Sequence, residues 1–438
     1  MDLWVFATII AFVLIGAIIV LLNRPVAILF IFLLASQFMG LVNPMAYAFA
    51  GFFDIQAMIA VFMALFLLSS GQKLPDIRKG KFFFPMLVFV FYYIYGVLLP
   101  IIREHSSLFH AVKASEDFIM IFMYFSVFAF FQSEQDIKRA WGIIIGFGIF
   151  YSLFEIIAQF AGAHLLAHFH YHFRADRFFF WKVYLPFFTV ILIAFFYVFF
   201  SLSFRISNRI IANIILFFGL MLTFYRSYVL ATIVSSVFTV LMSKRKLNPM
   251  IWGYGLVVGI VVLSILILTF AAPGRSTTMM QFSDTFFISG IVDFLSHSGH
   301  SLEVRDKAAA DRKKILNQSP VLGFGFIDKE SSFGKRVLGK NLLGFIDKGD
   351  LDLALKFGRL GAATIYLTVL YMIFVMIKIT RTTPYTSIMI KASTLSATLL
   401  VYLLVIPVHG TLTYSFSLMP FLICLGLLEK EIYLLSHN

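Results

Sequence analysis

Arg226 is the first residue whose type and setting indicate chemistry. It follows Thr223–Phe224–Tyr225 and lies between two apolar runs. A guanidinium in such a place is unfavourable unless it is paired or faces a water-filled cavity. Its planar fork matches the oxygens of a phosphate or pyrophosphate. The alternative is a side chain that extends to the membrane interface; we favour the anion-binding role.

A second pair of arginines lies on one face of a predicted helix. The helix starts at Ser301, a residue type that caps helices, and ends before Pro320. At helical spacing Arg305 and Arg312 are two turns apart on one face. The rest of that face is small or apolar, namely Ala308, Ala309, Ile315 and Leu316. This leaves room for a flat or anionic ligand, and the alternative is a solvated surface helix.

The segment 161–177 could supply another anion clamp. Arg174 and Arg177 are its cations, and the alternative for both is an anchor at the membrane interface. His164 and His168 would share one face of a helix, so a metal site is conceivable. Because nothing supplies the base of a zinc-hydrolase motif, the sequence predicts no metal and no other cofactor.

A transfer reaction also needs a proton acceptor. Asp347, Asp350 and Asp352 come just before a span that opens near Leu360. Carboxylates there suit a helix N-terminus, which they cap and whose dipole they compensate. One of them could instead act as a general base. Asp347 is the first candidate, followed by Asp350 and by His409 in the last predicted outer turn.

The composition places these residues in a membrane protein. Of 438 residues, 61% are hydrophobic and 13% are charged, and phenylalanine alone occurs 55 times. A soluble domain has about half hydrophobic and about a quarter charged residues. We expect much of the net charge of +13 to lie in cytoplasmic loops, so it does not indicate nucleic-acid binding. The single cysteine, Cys424, excludes an intramolecular disulfide.

The apolar runs predict an all-α polytopic membrane protein with about 12–14 transmembrane helices. The candidate spans are 3–22, 26–42, 54–70, 82–102, 118–131, 140–160, 178–200, 210–225, 227–243, 250–270, 360–378, 388–407 and 411–428. They divide the chain into an N-terminal transmembrane bundle at 1–270, a large extracytoplasmic loop at 271–359 and C-terminal transmembrane helices at 360–438. The loop falls between the tenth and eleventh spans.

Lysines and arginines fall on alternate short connections, which are therefore predicted to face the cytoplasm. These are Arg24, Lys73 to Lys81, Lys138–Arg139, Arg205 and Arg209, Lys244 to Lys246, and Lys378 and Arg381. Each connection has about a dozen residues or fewer, too few for a nucleotide-binding domain. A fused ATP-driven motor and a built-in nucleotide-sugar domain are therefore excluded. We expect the chemistry in the outer loop, 271–359.

Taken in order, these pieces resemble the O-antigen ligase and O-antigen polymerase superfamily of bacterial envelope enzymes. Thr223–Phe224–Tyr225–Arg226 is similar to the family's Thr-x-Ser-Arg-like segment, with Tyr225 in place of serine. Arg305 followed by Pro320–Val321–Leu322–Gly323–Phe324–Gly325 looks like its loop arginine and Pro-x-x-Gly-x-Gly stretch. The run from Asp347 to Gly358–Arg359–Leu360–Gly361 looks like its Gly-x-x-Gly opening of a span. Ligases of the family carry histidine where Asp347 stands, so the likeness favours the polymerase branch.

The resemblance implies a metal-independent glycosyl transfer. The donor would be an undecaprenyl-pyrophosphate-linked oligosaccharide, and the acceptor a hydroxyl of a lipid-linked repeat unit. Arg226, Arg305 and Asp347 would be catalytic, while the substrate-binding residues would be Arg174, Arg177, Arg312, Asp350 and His409. The enzyme would be a multi-pass protein of the bacterial inner membrane, in contact with membrane lipid and with its active site facing the periplasm. Its partners would be a chain-length regulator and a flippase of the same pathway.

Two alternatives stay open. A ligase that moves the finished glycan to lipid A–core or to protein would share most of these residues, since only the acceptor differs. A lipid-linked glycan transporter would explain the spans and a basic cavity but not the large outer loop. Such a transporter would also more often carry ionisable groups near the membrane midplane.

Overall fold

A computed structural model describes part of the chain. The ranges are residues 77–104, 106–115, 117–167, 174–175, 181–182, 188–201, 206–222, 226–243, 309–310, 312–328, 331–338, 349–406 and 415–437. The predicted spans 3–22, 26–42, 54–70 and 250–270 lie outside these ranges. Arg177, Arg305, Asp347 and His409 also lie outside them, so their roles stay predictions.

The described residues form helices, with one small pair of strands. The helices are α1 Phe83–Glu104, α2 Leu108–Ala114, α3 Phe122–Phe130, α4 Glu134–Ala167, α5 Phe188–Phe200, α6 Ile206–Leu222, α7 Arg226–Met242, α8 Ser332–Leu338, α9 Gly349–Thr382, α10 Thr386–Val405 and α11 Ser415–His437. A 3₁₀ turn at Phe118–Ile121 leads into α3. The strands, β1 Arg174–Ala175 and β2 Trp181–Lys182, pair antiparallel.

Within the described part, four helices are long and apolar enough to cross a membrane. They are Phe83–Arg103, Glu134–Ile157, Gly349–Thr382 and Thr386–Val405. Shorter apolar helices cover Phe118–Phe130, Phe188–Phe200, Asn208–Leu222 and Tyr228–Met242. This is the build of an α-helical membrane protein, as the composition predicts.

The outer surface of α1 is apolar along its whole length. Its exposed apolar residues recur every three or four positions, at Phe84, Leu87, Phe91, Ile94, Leu98 and Ile102. Phe84 and Ile102, near the two ends of the helix, are 71% and 72% exposed. A soluble protein seldom leaves so continuous an apolar strip in water. The strip is suited to contact with lipid.

The prediction of one helix over 178–200 is wrong. α5 covers only its second part, Phe188–Phe200, and Trp181–Lys182 is a strand. Pro186 gives the reason, because proline has no N–H and disfavours helical backbone at the preceding residue. The predicted outer segment 161–177 also starts later than expected, since α4 continues to Ala167.

α5 lies at the centre of the described helices, where it packs against α4, α6 and α10. α4 runs antiparallel to it. Trp141, near the start of α4, stacks on Tyr197 with ring centroids 5.3 Å apart. Further along α4, a Cβ added to Gly148 would lie 3.1 Å from the carbonyl oxygen of Val190.

α6 also runs antiparallel to α5. The guanidinium of Arg209, in the first turn of α6, donates to the carbonyl of Phe199 at 2.7 Å. Two turns later, the rings of Phe217 and Phe195 lie 6.1 Å apart. α4 and α6 are therefore parallel to each other and begin at the same end of the bundle.

Several predicted cytoplasmic connections gather at that end. Glu429 on α11 accepts hydrogen bonds from the backbone N–H groups of Lys81 at 2.7 Å and Phe82 at 2.8 Å. Glu431 pairs with Lys391 on α10 at 2.5 Å. We call this end of the bundle the basic end, after the lysine- and arginine-bearing connections found there. It is marked by Lys81, Lys391, Glu429 and Glu431. The starts of α4 and α6 and the ends of α7 and α9 share it. That it faces the cytoplasm stays a prediction.

Candidate functional site

Two motifs far apart in the sequence meet at the end opposite the basic end. α9 has a kink at Gly358, where the backbone has φ 72° and ψ 173°. Next to the kink, the carbonyls of Leu355 and Lys356 accept hydrogen bonds from the N–H groups of Phe324 and Gly325, both at 2.8 Å. The Pro-x-x-Gly-x-Gly stretch is therefore bound to the helix turn before the Gly-x-x-Gly motif.

Further backbone hydrogen bonds fix the same segment. The N–H of Arg359, which would bond to the preceding turn in a straight helix, donates to the carbonyl of Pro320 at 2.8 Å. On the other side, the N–H of Phe326 donates to the carbonyl of Gly96 in α1 at 2.8 Å. A Cβ added to Gly325 would lie 2.6 Å from that carbonyl oxygen, so only glycine fits there. We call residues 319–328 the docked segment.

Arg103 joins the docked segment to the end of α1. Its Nη1 donates to the Oγ of Ser319 at 2.7 Å. Its guanidinium carbon lies 6.0 Å from the ring centroid of Phe324. The Ser319 hydroxyl in turn donates to the carbonyl of Gly323 at 2.8 Å. Sequence reasoning missed Arg103, and the available signal was its place at the end of a span beside a predicted outer connection.

The predicted arginine helix is confirmed over its described part. Residues 309–310 and 312–316 are helical, and the buried ones are Ala309, Arg312, Ile315 and Leu316. Lys313 and Lys314 are exposed. Arg312 is only 5% exposed, which excludes the alternative of a solvated position for this side chain. The Nη2 of Arg359 donates to the Oδ1 of Asn317 at 3.3 Å, so Arg103, Arg312 and Arg359 all lie on or beside the turn at 312–319.

A histidine and an aspartate pair at the far end of the docked segment. The Nδ1 of His110 is in contact with the Oδ2 of Asp328. The carboxylate side chain is 7% exposed and the histidine side chain 33% exposed. Sequence reasoning did not single out either residue. They lie 218 positions apart, and neither belongs to a local motif.

The carboxylates at the start of α9 differ in their surroundings. Asp350 and Asp352 both lie in the first turn, as predicted for a helix N-terminus. Asp352 is buried and pairs with Lys356 at 2.9 Å, which gives it a structural role. Asp350 is exposed. It therefore keeps a carboxylate open to solvent at this end of the molecule.

The backbone brings two other predicted segments together. The N–H of Gly349 donates to the carbonyl of Ile406 at 3.0 Å. The start of α9, two residues after Asp347, therefore lies next to the end of α10, three residues before His409. Arg174 is on β1, opposite Lys182 in the register, and the structure describes only its backbone.

Arg226 is the first residue of α7, at the same end as the docked segment. Close by, α4 approaches α6 so tightly that a Cβ added to Gly219 would lie 2.8 Å from the Cα of Ser152. Glu155 is one turn further along α4 and is 1% exposed. Its carboxylate oxygens have no hydrogen-bond partner among the described residues. Because α4 and α6 are parallel, Glu155 lies level with the turn that leads to Arg226.

The described residues were also compared with the requirements of a metal site. Within the described ranges, no cluster of three His, Cys, Asp or Glu side chains could hold a metal ion. His164 is described only by its backbone, and His168 lies outside those ranges. Comparison of the chain with protein-family models and with curated proteins finds no significant match.

Proposed function

We propose that this protein is a polysaccharide polymerase of the bacterial inner membrane. It transfers a glycan from an undecaprenyl-pyrophosphate-linked donor to a hydroxyl of a lipid-linked acceptor repeat unit. The product is an O-antigen, capsule or exopolysaccharide chain. The observation that carries the proposal is the group of arginines at the turn 312–319, where Arg312 is buried and Arg103 is held by Ser319.

The reaction requires fixed cations. A bond forms between the acceptor oxygen and the anomeric carbon while the bond from that carbon to the pyrophosphate oxygen breaks. The electron pair leaves with the pyrophosphate, and the hydroxyl proton passes to a base. Guanidinium groups held in place before the reaction stabilise the charge that develops on the leaving group. Arg226 and Arg305 complete this clamp in the proposal, since arginine forks suit pyrophosphate oxygens.

The docked segment supports the proposal because it keeps the cations in position. Backbone hydrogen bonds to α1 and α9 fix the chain on both sides of Gly325. A site whose backbone is already fixed needs less ordering when it binds a substrate. Arg174, Arg177, Asp350 and His409 remain candidates for contacts to the glycan or to the outer phosphate.

The proposal also accounts for the location of the site. The arginines lie at the end opposite the basic end, so they face the periplasm if the basic connections face the cytoplasm. A pyrophosphate-linked donor is already activated there and needs no nucleotide. The acceptor and donor both carry lipid tails, which apolar strips such as that of α1 can accommodate.

Deletion of the gene in the native bacterium tests the proposal. Surface glycans are compared on a gel with the lipid-linked glycans extracted from the same cells. A polymerase predicts loss of the ladder, with single repeat units still attached to the acceptor. Long lipid-linked chains without transfer to the acceptor would identify a ligase instead. Unchanged pools would contradict both enzymes and favour transport of another substrate.

A further inference from the structure

We infer that His110 is the catalytic base of the proposed transfer and that Asp328 is its positioning residue. The inference rests on the proposed function and replaces Asp347 in the role that the sequence suggested for it. Its starting point is the direct contact between the Nδ1 of His110 and the Oδ2 of Asp328.

The contact fixes the tautomer of the imidazole. A carboxylate only accepts hydrogen bonds, so the proton of a neutral His110 is on Nδ1 and points to Asp328. The Nε2 then carries the lone pair that can accept a proton. Among the described residues, none forms a hydrogen bond with Nε2. The side chain is 33% exposed, so the ring is partly open to solvent at the site where the proposed transfer takes place.

Both partners are held rigidly. The N–H of His110 donates to the Oγ of Ser107, which caps α2, at 3.3 Å. The backbone carbonyl of Asp328 accepts a hydrogen bond from the Oγ of Ser331 at 2.7 Å. That same hydroxyl oxygen accepts from the N–H of Gly334 at 2.8 Å. The orientation of the ring therefore depends on two segments of the chain that are themselves fixed.

The pair belongs to the same structural unit as the arginines. Asp328 ends the docked segment, two residues after Phe326, whose ring packs 5.5 Å from Phe118 and 5.6 Å from Phe357. Asp328 is five positions after Gly323, beside which Arg103 is bound. A chain of that length spans at most about 17 Å. One segment thus connects the base to the cations that would receive the leaving group.

An imidazole suits this task better than an ordinary carboxylate. In the step, the acceptor hydroxyl gives its proton to Nε2 while its oxygen bonds to the anomeric carbon. The pyrophosphate leaves with the electron pair of the broken bond. The imidazolium then passes the proton to water, which restores the neutral base. Asp328 stabilises the imidazolium without becoming protonated. A neutral imidazole carries a lone pair that can accept the proton of a hydroxyl, and a second nitrogen that a carboxylate can hold in place.

The test uses the full-length protein in nanodiscs. The substrate is the lipid-linked glycan extracted from the deletion strain, and the readout is the rate of chain extension as a function of pH. The wild-type rate should fall as the pH is lowered, because a protonated imidazole accepts no proton. His110→Gln should lower the rate about 10²–10⁴-fold and remove this dependence. Asp328→Asn should give a smaller loss.

Two further variants separate catalysis from folding. Asp136→Asn changes a carboxylate on the first turn of α4, at the basic end, and should keep the wild-type rate. His110→Ala leaves space for an added imidazole, which should restore part of the activity. A wild-type rate in His110→Gln would overturn the inference. So would a lowered rate that keeps the wild-type pH dependence and is not rescued in His110→Ala.

Failure of the inference is distinct from failure of the proposed function. If wild-type protein extends the lipid-linked glycan and His110→Gln does so equally well, only the role of His110 is refuted. If wild-type protein does not extend it at all, the polymerase proposal is refuted, and the inference with it.

Discussion

Replacement of Gly358 by alanine tests whether the kink in α9 holds the docked segment. Gly358 has φ 72° and ψ 173°, a backbone conformation that is almost confined to glycine. An added Cβ would lie 2.7 Å from the backbone nitrogen of Leu322 and closer still to the carbonyl of Val321. The variant should therefore both strain the helix and push the docked segment away from it.

Two contributions determine how much Gly358→Ala destabilises the docked segment. Holding a non-glycine residue in this conformation costs about 1–3 kcal/mol. Displacement of the segment puts at risk three backbone hydrogen bonds, those of Phe324, Gly325 and Arg359, each worth about 1 kcal/mol net. A strain of about 2 kcal/mol and the loss of one bond together lower the stability of docking by about 3 kcal/mol. This corresponds to roughly 100-fold faster local opening.

Amide hydrogen exchange of the protein in nanodiscs measures this opening. In Gly358→Ala the amides of Phe324, Gly325 and Phe326 should exchange roughly 100-fold faster than in the wild type. Amides of α10 serve as the internal reference and should be unchanged. Gly142→Ala is the matched control, because a Cβ on Gly142 meets nothing within 4 Å. Wild-type protection of the docked segment in Gly358→Ala would refute the reasoning.

Three further predictions concern the residues of the proposed site. Arg226→Ala and Arg305→Ala should each abolish polymer formation while membrane insertion, measured by cell fractionation, is kept; wild-type chain lengths in both variants would disprove the pyrophosphate clamp. Arg312→Ala should lower the rate of chain extension about 10²–10³-fold, because it removes a buried cation. Lys313→Ala, which removes an exposed cation next to it, should leave the rate unchanged. Equal rates in the two variants would contradict a role for Arg312. Asp347→Asn should keep much more chain-extension activity than His110→Gln. If His110→Gln is instead the more active of the two, Asp347 is the better candidate for the base.

Within the described ranges, several helices could be predicted from the sequence. The apolar runs are long, and helical periodicity places Ala309, Arg312, Ile315 and Leu316 on one face. That this face is buried comes from the structure. The opening of a span near Leu360 agrees with the break at Gly358. Apolar runs, helical periodicity and glycine motifs each involve residues close together in the sequence, so they can be recognised in one sequence alone.

The contacts of the site could not be predicted in the same way. Arg103 and His110 acquire their partners only because the docked segment folds back onto α1 and α2. The signal for such a pairing is spread over more than 200 positions, as the separation of 218 between His110 and Asp328 shows. The prediction of a helix over 178–200 failed because hydropathy does not register the effect of Pro186 on the backbone.

Chain extension by the purified protein tests the central claim most directly. The protein is reconstituted alone, without nucleotide and with a metal chelator, and is given the lipid-linked glycan extracted from the deletion strain. A polymerase predicts a ladder of longer lipid-linked products and release of undecaprenyl pyrophosphate. Binding of the glycan without any longer product would contradict the account.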